Sequence, residues 1–168
     1  MERFDRLREV IAKLRAEDGC PWDREQTHMS LKGACLEEAA EVICGINILD
    51  QTGNAENLKE ELGDLLLQVM MHAQIAEEEG LFNVEDVIDE ITAKMIRRHP
   101  HVFGEVTISD SGEVLKNWDK IKAQEKIGKI DDDLYLDDAF FESVELIHAA
   151  RKKKEEKRKK KSAESKQS

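Results

Sequence analysis

Apolar residues recur along this 168-residue chain at intervals of three and four, the spacing that gathers side chains on one face of an α-helix. The spacing predicts helices over about 3–17, 30–50, 55–79, 83–98 and 136–150, and a further helix that starts at Ser109 or Ser111. Only two prolines and nine glycines interrupt the pattern. We therefore predict an all-α fold, built as a multi-helix bundle.

Several residues between the predicted helices are of the types that begin or end a helix. Residues 18–28 are predicted to form a loop because they contain a glycine and a proline. Ser30 is a suitable N-cap for the helix that follows. Asn83, with Asp86 three residues later, predicts a capping box at the start of another helix.

The predicted helix over 55–79 is apolar on more than one face. Its main apolar stripe consists of Leu58, Leu62, Leu65, Leu66, Val69 and Ala73. Leu67, Met70 and Met71 lie outside that stripe. A small domain has little room at its centre for a helix that is apolar nearly all round, so the pattern favours a subunit interface. We predict a homodimer or a higher homo-oligomer.

Charge is distributed unevenly along the chain. The net charge is −11, but residues 151–168 hold ten Lys and Arg against three Glu, a net charge of +7, which leaves −18 on residues 1–150. A body this acidic repels nucleic acid, so we expect no nucleic-acid partner unless the basic tail binds one. The tail is of low complexity and is predicted to be a solvated helix end that frays into disorder.

The chain also lacks the usual signals for export or membrane insertion. No apolar run is long enough to span a bilayer, and Met1 leads straight into a charged amphipathic pattern. Three cysteines, Cys20, Cys35 and Cys44, are an odd number without a zinc-type spacing, which indicates reduced thiols. We expect a cytoplasmic protein with no membrane partner.

Five carboxylates on the two central predicted helices are the candidate chemical groups. Glu37, Glu38 and Glu41 share one narrow arc of the first helix with no interleaved cation, and Glu61 and Asp64 lie three apart on the second. Carboxylates at the margin of a buried face need a positive partner, because burial of a bare ion costs several kcal/mol. A divalent cation would supply it, and oxygen ligands favour Mg²⁺ or Mn²⁺. Alternatively, these are acidic edge positions of two amphipathic helices.

These carboxylates and two flanking segments resemble a known family. Glu37-Glu38-x-x-Glu41, a spacer of nineteen residues and Glu61-x-x-Asp64 are similar to the metal-binding signature of the all-α nucleoside triphosphate pyrophosphohydrolases, in particular the MazG branch. The segments GCPWDREQTH before it and RRHPHVFG after it resemble MazG segments in the same order.

The resemblance implies a domain organisation for the chain. It extends over residues 1–127, which would form the MazG-like catalytic domain and its helical bundle. Residues 128–150 would be a C-terminal helical extension, and residues 151–168 the basic tail.

The resemblance also implies a reaction. Members hydrolyse nucleoside triphosphates, including deoxy forms, to the monophosphate and pyrophosphate, through attack of a metal-activated water on the α-phosphorus. Glu38, Glu41, Glu61 and Asp64 are the expected ligands of Mg²⁺, with Mn²⁺ as a substitute. Glu37 and Glu38 are the expected catalytic residues, and Glu37 or another carboxylate not committed to metal would accept the proton of the water.

Contacts with the nucleotide follow from the same resemblance. The expected substrate-binding residues are Lys94, Arg97, Arg98, Trp118, Lys122 and Trp22. Lys94 and Arg98, four residues apart, would contact the phosphates. The residues alone leave another interpretation open, since cations are common in the last turn of a helix and a single tryptophan such as Trp22 often covers a core.

Two functions of other classes remain open at this point. A ferritin-like di-iron protein requires inward-facing Glu residues and two Glu-x-x-His motifs, and the chain contains Glu25-x-x-His28 and Glu145-x-x-His148. A non-catalytic helical interaction module would keep the fold without turnover and use the basic tail to bind its partner.

Overall fold

The computed structural model describes residues 2–107, 110–127 and 130–164, with side chains through residue 162. Regular structure in these residues is helical throughout, so the all-α prediction is confirmed. The helices are α1 (Glu2–Arg15), α2 (Pro21–Glu25), α3 (His28–Thr52), α4 (Glu56–Glu78), α5 (Val84–Arg98), α6 (Pro100–Phe103), α7 (Ser111–Glu125) and α8 (Asp133–Glu164).

The segment that was predicted to be a loop contains the short helix α2. It begins at Pro21, whose fixed φ suits a first helical turn and whose missing N–H is not needed there. Thr27, rather than Ser30, is the N-cap of α3. The Thr27 hydroxyl accepts a hydrogen bond of 3.1 Å from the Ser30 N–H, and the Ser30 hydroxyl accepts one of 2.9 Å from the Thr27 N–H. The loop prediction is therefore wrong for residues 21–25, which form α2. The Ser30 cap is wrong because the reciprocal pair starts α3 earlier.

Helices α3 and α4 form a long hairpin on which the other elements are assembled. Gly53 ends α3 in the left-handed conformation, with φ of 72°, and its N–H donates to the Leu49 carbonyl at 2.8 Å. The two helices approach closely where Gly45 faces Leu58, because an added Cβ at Gly45 would lie 2.8 Å from the Leu58 Cα. Helix α8 packs on α3, while α1 and α5 pack on α4.

The core of the single chain lies along the C-terminal half of α4. Its buried members are Ile11, Leu31, Met70, Met71, Ala73, Ile75 and Val84. Leu62, Leu66 and Val69, expected on the buried stripe, are instead 50%, 41% and 44% exposed. That part of the prediction is wrong for one chain, because a helix that is apolar on two faces does not reveal which face its own chain covers.

Helices α5 and α7 form a second layer beside the hairpin. Asn83 and Asp86 form the expected capping box at the start of α5, with reciprocal hydrogen bonds of 3.1 Å and 2.9 Å. Helix α7 begins at Ser111, as predicted, but its N-cap is Asp110. Ser109, the other predicted start, lies outside the described residues. Helix α7 packs on α5 and extends the structure away from α3.

Helix α8 is longer than the sequence indicated. It continues without interruption from Asp133 through residues 151–164, where disorder was expected. Lys, Arg and Glu are strong helix formers, and an i, i+4 ion pair of 3.1 Å between Arg151 and Glu155 supports the helix. The division of the chain at residues 127 and 150 stays a prediction.

Among the described residues, we find no helix with the length and apolar character that a bilayer crossing requires. Cys20, Cys35 and Cys44 are all free thiols.

Candidate metal centre

Three carboxylates from the α3–α4 hairpin converge on one point. Glu38 stands on α3, and Glu61 and Asp64 stand on α4. One oxygen from each carboxylate can be chosen so that all three lie within 4.8 Å of one another. Because the i, i+3 spacing directs Glu61 and Asp64 to one face of α4, the packing of α4 against α3 is what assembles this carboxylate cluster.

The carboxylate cluster is held in a costly electrostatic state. Glu61 is buried, with 8% of its surface exposed, and its Oε1 accepts a hydrogen bond of 2.9 Å from the Asn57 amide. Burial raises the pKa of Glu38, and repulsion from Asp64 and Glu61 raises the pKa further. Because the folded state disfavours ionisation of Glu38, this carboxylate lacks enough nearby positive charge to stabilise its ionised form.

The donor set of the cluster fits a hard divalent cation. Three carboxylate oxygens of this proximity match the ligands that Mg²⁺ and Mn²⁺ prefer. Asn57 Oδ1, on the amide that orients Glu61, is buried and has no hydrogen-bond partner in the described structure. A hydrated cation beside Glu61 would satisfy this oxygen through a ligand water, which is a role common for groups that orient metal ligands.

The other two acidic residues of the motif lie beside the cluster in different surroundings. The Glu41 carboxylate is not one of the three converging groups, and it accepts a hydrogen bond from the Lys154 ammonium on α8. Glu37 lines a cavity between α3 and α8. Lys154 also acts on Glu38, where its charge lowers the pKa against the stronger raising effects.

The three cations at the end of α5 form ion pairs with carboxylates of α5 and α7. Arg97 Nε donates to Glu125 Oε1 at 2.5 Å, and Arg98 Nη2 donates to Glu125 Oε2 at 2.6 Å. Lys94 lies 3.8 Å from Glu90 on its own helix. These carboxylate partners lie on α5 and α7, and the binding of phosphates by the three cations stays a prediction.

The remaining expected nucleotide contacts lie on α7 and α2. The Arg98 guanidinium lies over the Trp118 ring, 5.0 Å from the ring centroid. The rings of Trp118 and His99 form a T-shaped contact. Lys122 is exposed. A hydrogen bond from Lys126 is the main cause of the lowered pKa of Asp132, and the charge of Lys122 adds a smaller effect. The Trp22 side chain on α2 is 63% exposed, so it does not cover the core.

A Glu125→Gln substitution is expected to weaken the attachment of α7 to α5 in a pH-dependent way. Hydrogen bonds from Arg98, then Arg97, lower the pKa of Glu125 from 4.5 to about 2. A lowered pKa contributes stability above the unfolded-state value, and that contribution disappears as pH falls through the folded-state value. Urea unfolding should therefore show a stability difference from wild type that is constant near neutrality and shrinks between about pH 4.5 and pH 2.

The matched control is Asp119→Asn, which removes an exposed carboxylate from the same helix. This control should leave the free energy of unfolding unchanged across the same pH range. A stability difference for Glu125→Gln that persists at the lowest pH would show that the pair with Arg98 is not its origin.

Sequence reasoning missed three residues that shape this region. Asn57 is four residues before Glu61, so the i, i+4 spacing of an amide and a carboxylate could have revealed it. Glu125 and Lys154 gave no such signal, because they meet Arg98 and Glu41 only through packing between distant helices.

The motifs that suggested a di-iron protein do not form a shared site. In the described part of the chain, groups of three or more metal-ligating side chains within reach of one ion are the carboxylate cluster and the exposed Asp131–Asp133 run. Neither group includes the Glu-x-x-His motifs at Glu25 and Glu145.

Comparison with known proteins gives a family match over the region of the hairpin. A model described as the MazG nucleotide pyrophosphohydrolase domain matches residues 26–103. The nucleoside triphosphate pyrophosphohydrolase/pyrophosphatase MazG of Thermotoga maritima is 51% identical over 123 residues, which cover 73% of this chain and 45% of that protein. The nucleoside triphosphate pyrophosphohydrolase of Escherichia coli K12 is 44% identical over 130 residues, 77% of this chain and 48% of that protein.

The similarity extends to a longer protein without an assigned activity. The uncharacterized protein YabN of Bacillus subtilis is 50% identical over 123 residues, which cover 73% of this chain and 24% of that protein. The chain thus spans between about a quarter and about a half of the length of these relatives.

Proposed function

The chain belongs to the MazG nucleotide pyrophosphohydrolase family through residues 26–103, and from this premise we propose that it hydrolyses nucleoside triphosphates between the α and β phosphates. The products would be a nucleoside monophosphate and pyrophosphate. The observation that carries the proposal is the convergence of Glu38, Glu61 and Asp64 between α3 and α4. The names of the Thermotoga and Escherichia relatives, both nucleoside triphosphate pyrophosphohydrolases, support the same reaction.

We propose Mg²⁺ as the cofactor, with Mn²⁺ as a substitute. Glu38, Glu61 and Asp64 would hold the ion, and Glu41 would join them after exchanging its contact with Lys154. When bound, the ion would neutralise phosphate charge and make the attacking water more acidic. Support comes from the three close carboxylate oxygens and from the unpaired Asn57 oxygen beside them.

Glu37 is the residue that we propose as the proton acceptor. It lies on α3 next to Glu38 and lines the adjacent cavity. The pKa of Glu38 is raised partly by its repulsion with Glu37, so the two carboxylates act on each other electrostatically. A general base must be close to the attacking water without being committed to the metal, and Glu37 meets that requirement better than the three converging groups.

We further propose that the cations and tryptophans of the family signature bind the nucleotide. Arg98, with Lys94 and Arg97, would exchange its carboxylate partners for substrate phosphates, which accept the same charge-assisted hydrogen bonds. Trp118 already holds the Arg98 guanidinium against its ring. Lys122 and the exposed Trp22 would contact parts of the nucleotide beyond the reacting phosphates.

The exposed apolar face of α4 supports a homodimer. Leu66 and Val69 are 41% and 44% exposed, and Ile88 and Ile91 on the adjoining α5 are 40% and 46% exposed. A second chain covering this face would remove the apolar surface from water. Light scattering should therefore give twice the chain mass of 19.2 kDa, and Leu66→Glu should shift the mass to that of one chain.

The control for the dimer is Ile127→Glu, which adds the same charge at an apolar residue that is 81% exposed elsewhere. This variant should retain the wild-type mass. A wild-type protein that has the mass of one chain at high concentration would contradict the proposal.

We also propose a cytoplasmic location. Its support is the set of free thiols at Cys20, Cys35 and Cys44, which a reducing compartment maintains.

Product analysis tests the proposed activity. The protein would be incubated with a panel of nucleoside and deoxynucleoside triphosphates and Mg²⁺, and the products would be separated by anion exchange. We expect monophosphate and pyrophosphate, with turnover lost in a chelator and restored by added Mg²⁺. Diphosphate and orthophosphate would place the attack at the γ-phosphorus and contradict the proposal, while absence of turnover would favour the interaction module.

A further inference from the structure

Helix α8 carries a row of cations beside Glu37 and Glu41 of the acidic motif. Arg151, Lys154 and Arg158 follow the i, i+3, i+7 spacing of one helix face. Two ion pairs attach this helix to α3: Lys32 with Glu142 at 2.8 Å, and Lys154 with Glu41. The basic end of α8 is therefore fixed against the helix that carries Glu38.

Two cavities adjoin this row of cations. The first, of about 310 Å³, lies between α3 and α8. Its charged lining residues are Glu37, Arg151, Lys154, Glu155 and Arg158, and the rest of its lining is apolar. The second, of about 380 Å³, is lined by Lys154, Lys157, Arg158, Lys160 and Lys161. Both cavities share Lys154 and Arg158, so we treat them as one basic groove, which at one end reaches Glu37, the neighbour of Glu38 on α3.

The charges of this groove are incompletely neutralised. Arg151 pairs with Glu155 at 3.1 Å, and Lys154 pairs with Glu41. Arg158 forms no ion pair with the described residues, although it lies between other cations of the same helix. Like charges at these helical spacings repel one another, so the groove is arranged to favour an anion.

The position of the groove identifies the kind of anion. A triphosphate whose α-phosphate lies at the carboxylate cluster must place its β and γ phosphates within a few ångströms of it. Within the described structure, Lys154 is the cation that forms an ion pair with the acidic motif, through Glu41. A linear phosphate chain that leaves the cluster on this side meets Lys154 first and Arg158 next.

We propose that Lys154 and Arg158 on α8 bind the β and γ phosphates of the nucleotide, and hence the pyrophosphate product. The proposal rests on the proposed function and assigns a phosphate subsite to a helix beyond the family match at residues 26–103. Lys154 exchanges Glu41 for a phosphate oxygen, and Arg158 binds a second phosphate with its guanidinium.

Calorimetric titration of the full chain with inorganic pyrophosphate and Mg²⁺ tests this subsite. The double variant Lys154→Met/Arg158→Met should raise the dissociation constant by about tenfold or more, since each lost charge-assisted hydrogen bond weakens binding substantially. The matched control is Lys152→Met/Lys159→Met, which removes two cations from the opposite face of α8 and should stay within about twofold of wild type.

Arg158 variants separate phosphate binding from the release of Glu41. Arg158→Met leaves the Lys154–Glu41 contact in place, so a weaker affinity for pyrophosphate in this variant supports a direct phosphate contact. Arg158→Lys keeps the charge and should recover most of the affinity. Circular dichroism and thermal melting of each variant verify that α8 remains folded.

The same samples distinguish failure of this subsite from failure of the proposed reaction. Equal pyrophosphate affinity in the double variant and its control would overturn the subsite, even if the wild type releases monophosphate from nucleoside triphosphates. A selective loss of pyrophosphate affinity would support the subsite even if no nucleotide is hydrolysed. If the double variant loses binding to a single-stranded RNA oligomer but not to pyrophosphate, the groove is a nucleic-acid site and the proposal is wrong.

Discussion

A Glu38→Gln substitution is expected to lower the rate of nucleoside triphosphate hydrolysis by about a hundredfold to a thousandfold. Glu38 is the member of the carboxylate cluster that α3 contributes, while Glu61 and Asp64 both come from α4. The amide has the size of the carboxylate but half of its acceptor capacity and none of its charge. The measurement is pyrophosphate release at saturating Mg²⁺ and nucleotide.

The same substitution should leave the stability of the fold unchanged or raise it. The pKa of Glu38 is raised by burial and by its acidic neighbours, so ionisation of this group at neutral pH opposes folding. A neutral amide removes that repulsion. Lower activity together with equal or higher resistance to urea would identify Glu38 as a residue kept for function rather than for stability.

The control for Glu38→Gln is Glu60→Gln, the same change at an exposed position on α4 outside the cluster. Its activity and unfolding should match those of the wild type. If Glu38→Gln retains more than about a tenth of the wild-type rate, the carboxylate cluster does not hold the catalytic metal.

Local sequence patterns predicted most of the longer helices and the positions of the carboxylates that converge. Glu61 and Asp64 share a face because of their i, i+3 spacing, and Glu38 meets them because two apolar stripes fold α3 onto α4. Asn83 predicts its own capping box because both members of that box lie within one turn. These features depend on interactions over a few residues, which a sequence displays directly.

Features that depend on packing between distant helices could not be predicted in the same way. The α4 wheel shows two apolar faces, and the structure buries Met70 and Met71 while leaving Leu62 exposed. The contact of Lys154 with Glu41 joins residues 113 positions apart in the chain. A basic low-complexity segment read alone suggests a solvated tail, but in this fold part of it lies against α3.

Because α3 and α4 approach each other closely at Gly45, a side chain at this position is expected to lower the stability of the fold. Gly45→Ala should lower the free energy of unfolding by about 2 kcal/mol or more. The added Cβ would lie 2.8 Å from Leu58 Cα and 3.0 Å from Leu58 N, which are backbone atoms that cannot rotate away. The hairpin must therefore open, and the overpacking cost outweighs the roughly 1 kcal/mol that alanine gains over glycine in a helix.

Gly33→Ala is the matched control, because Gly33 lies on the same helix and an added Cβ there meets no atom within 4 Å. It should raise the free energy of unfolding by roughly 0.5 to 1 kcal/mol, so a glycine-to-alanine change alters stability in opposite directions at two positions of α3.

Gly45→Ala should also weaken Mg²⁺ binding measured by calorimetry, since moving α4 outward separates Glu38 from Glu61 and Asp64. If both variants are stabilised equally in urea unfolding, the helices have room for a side chain at Gly45, and the spacing that brings the three carboxylates together does not depend on that glycine.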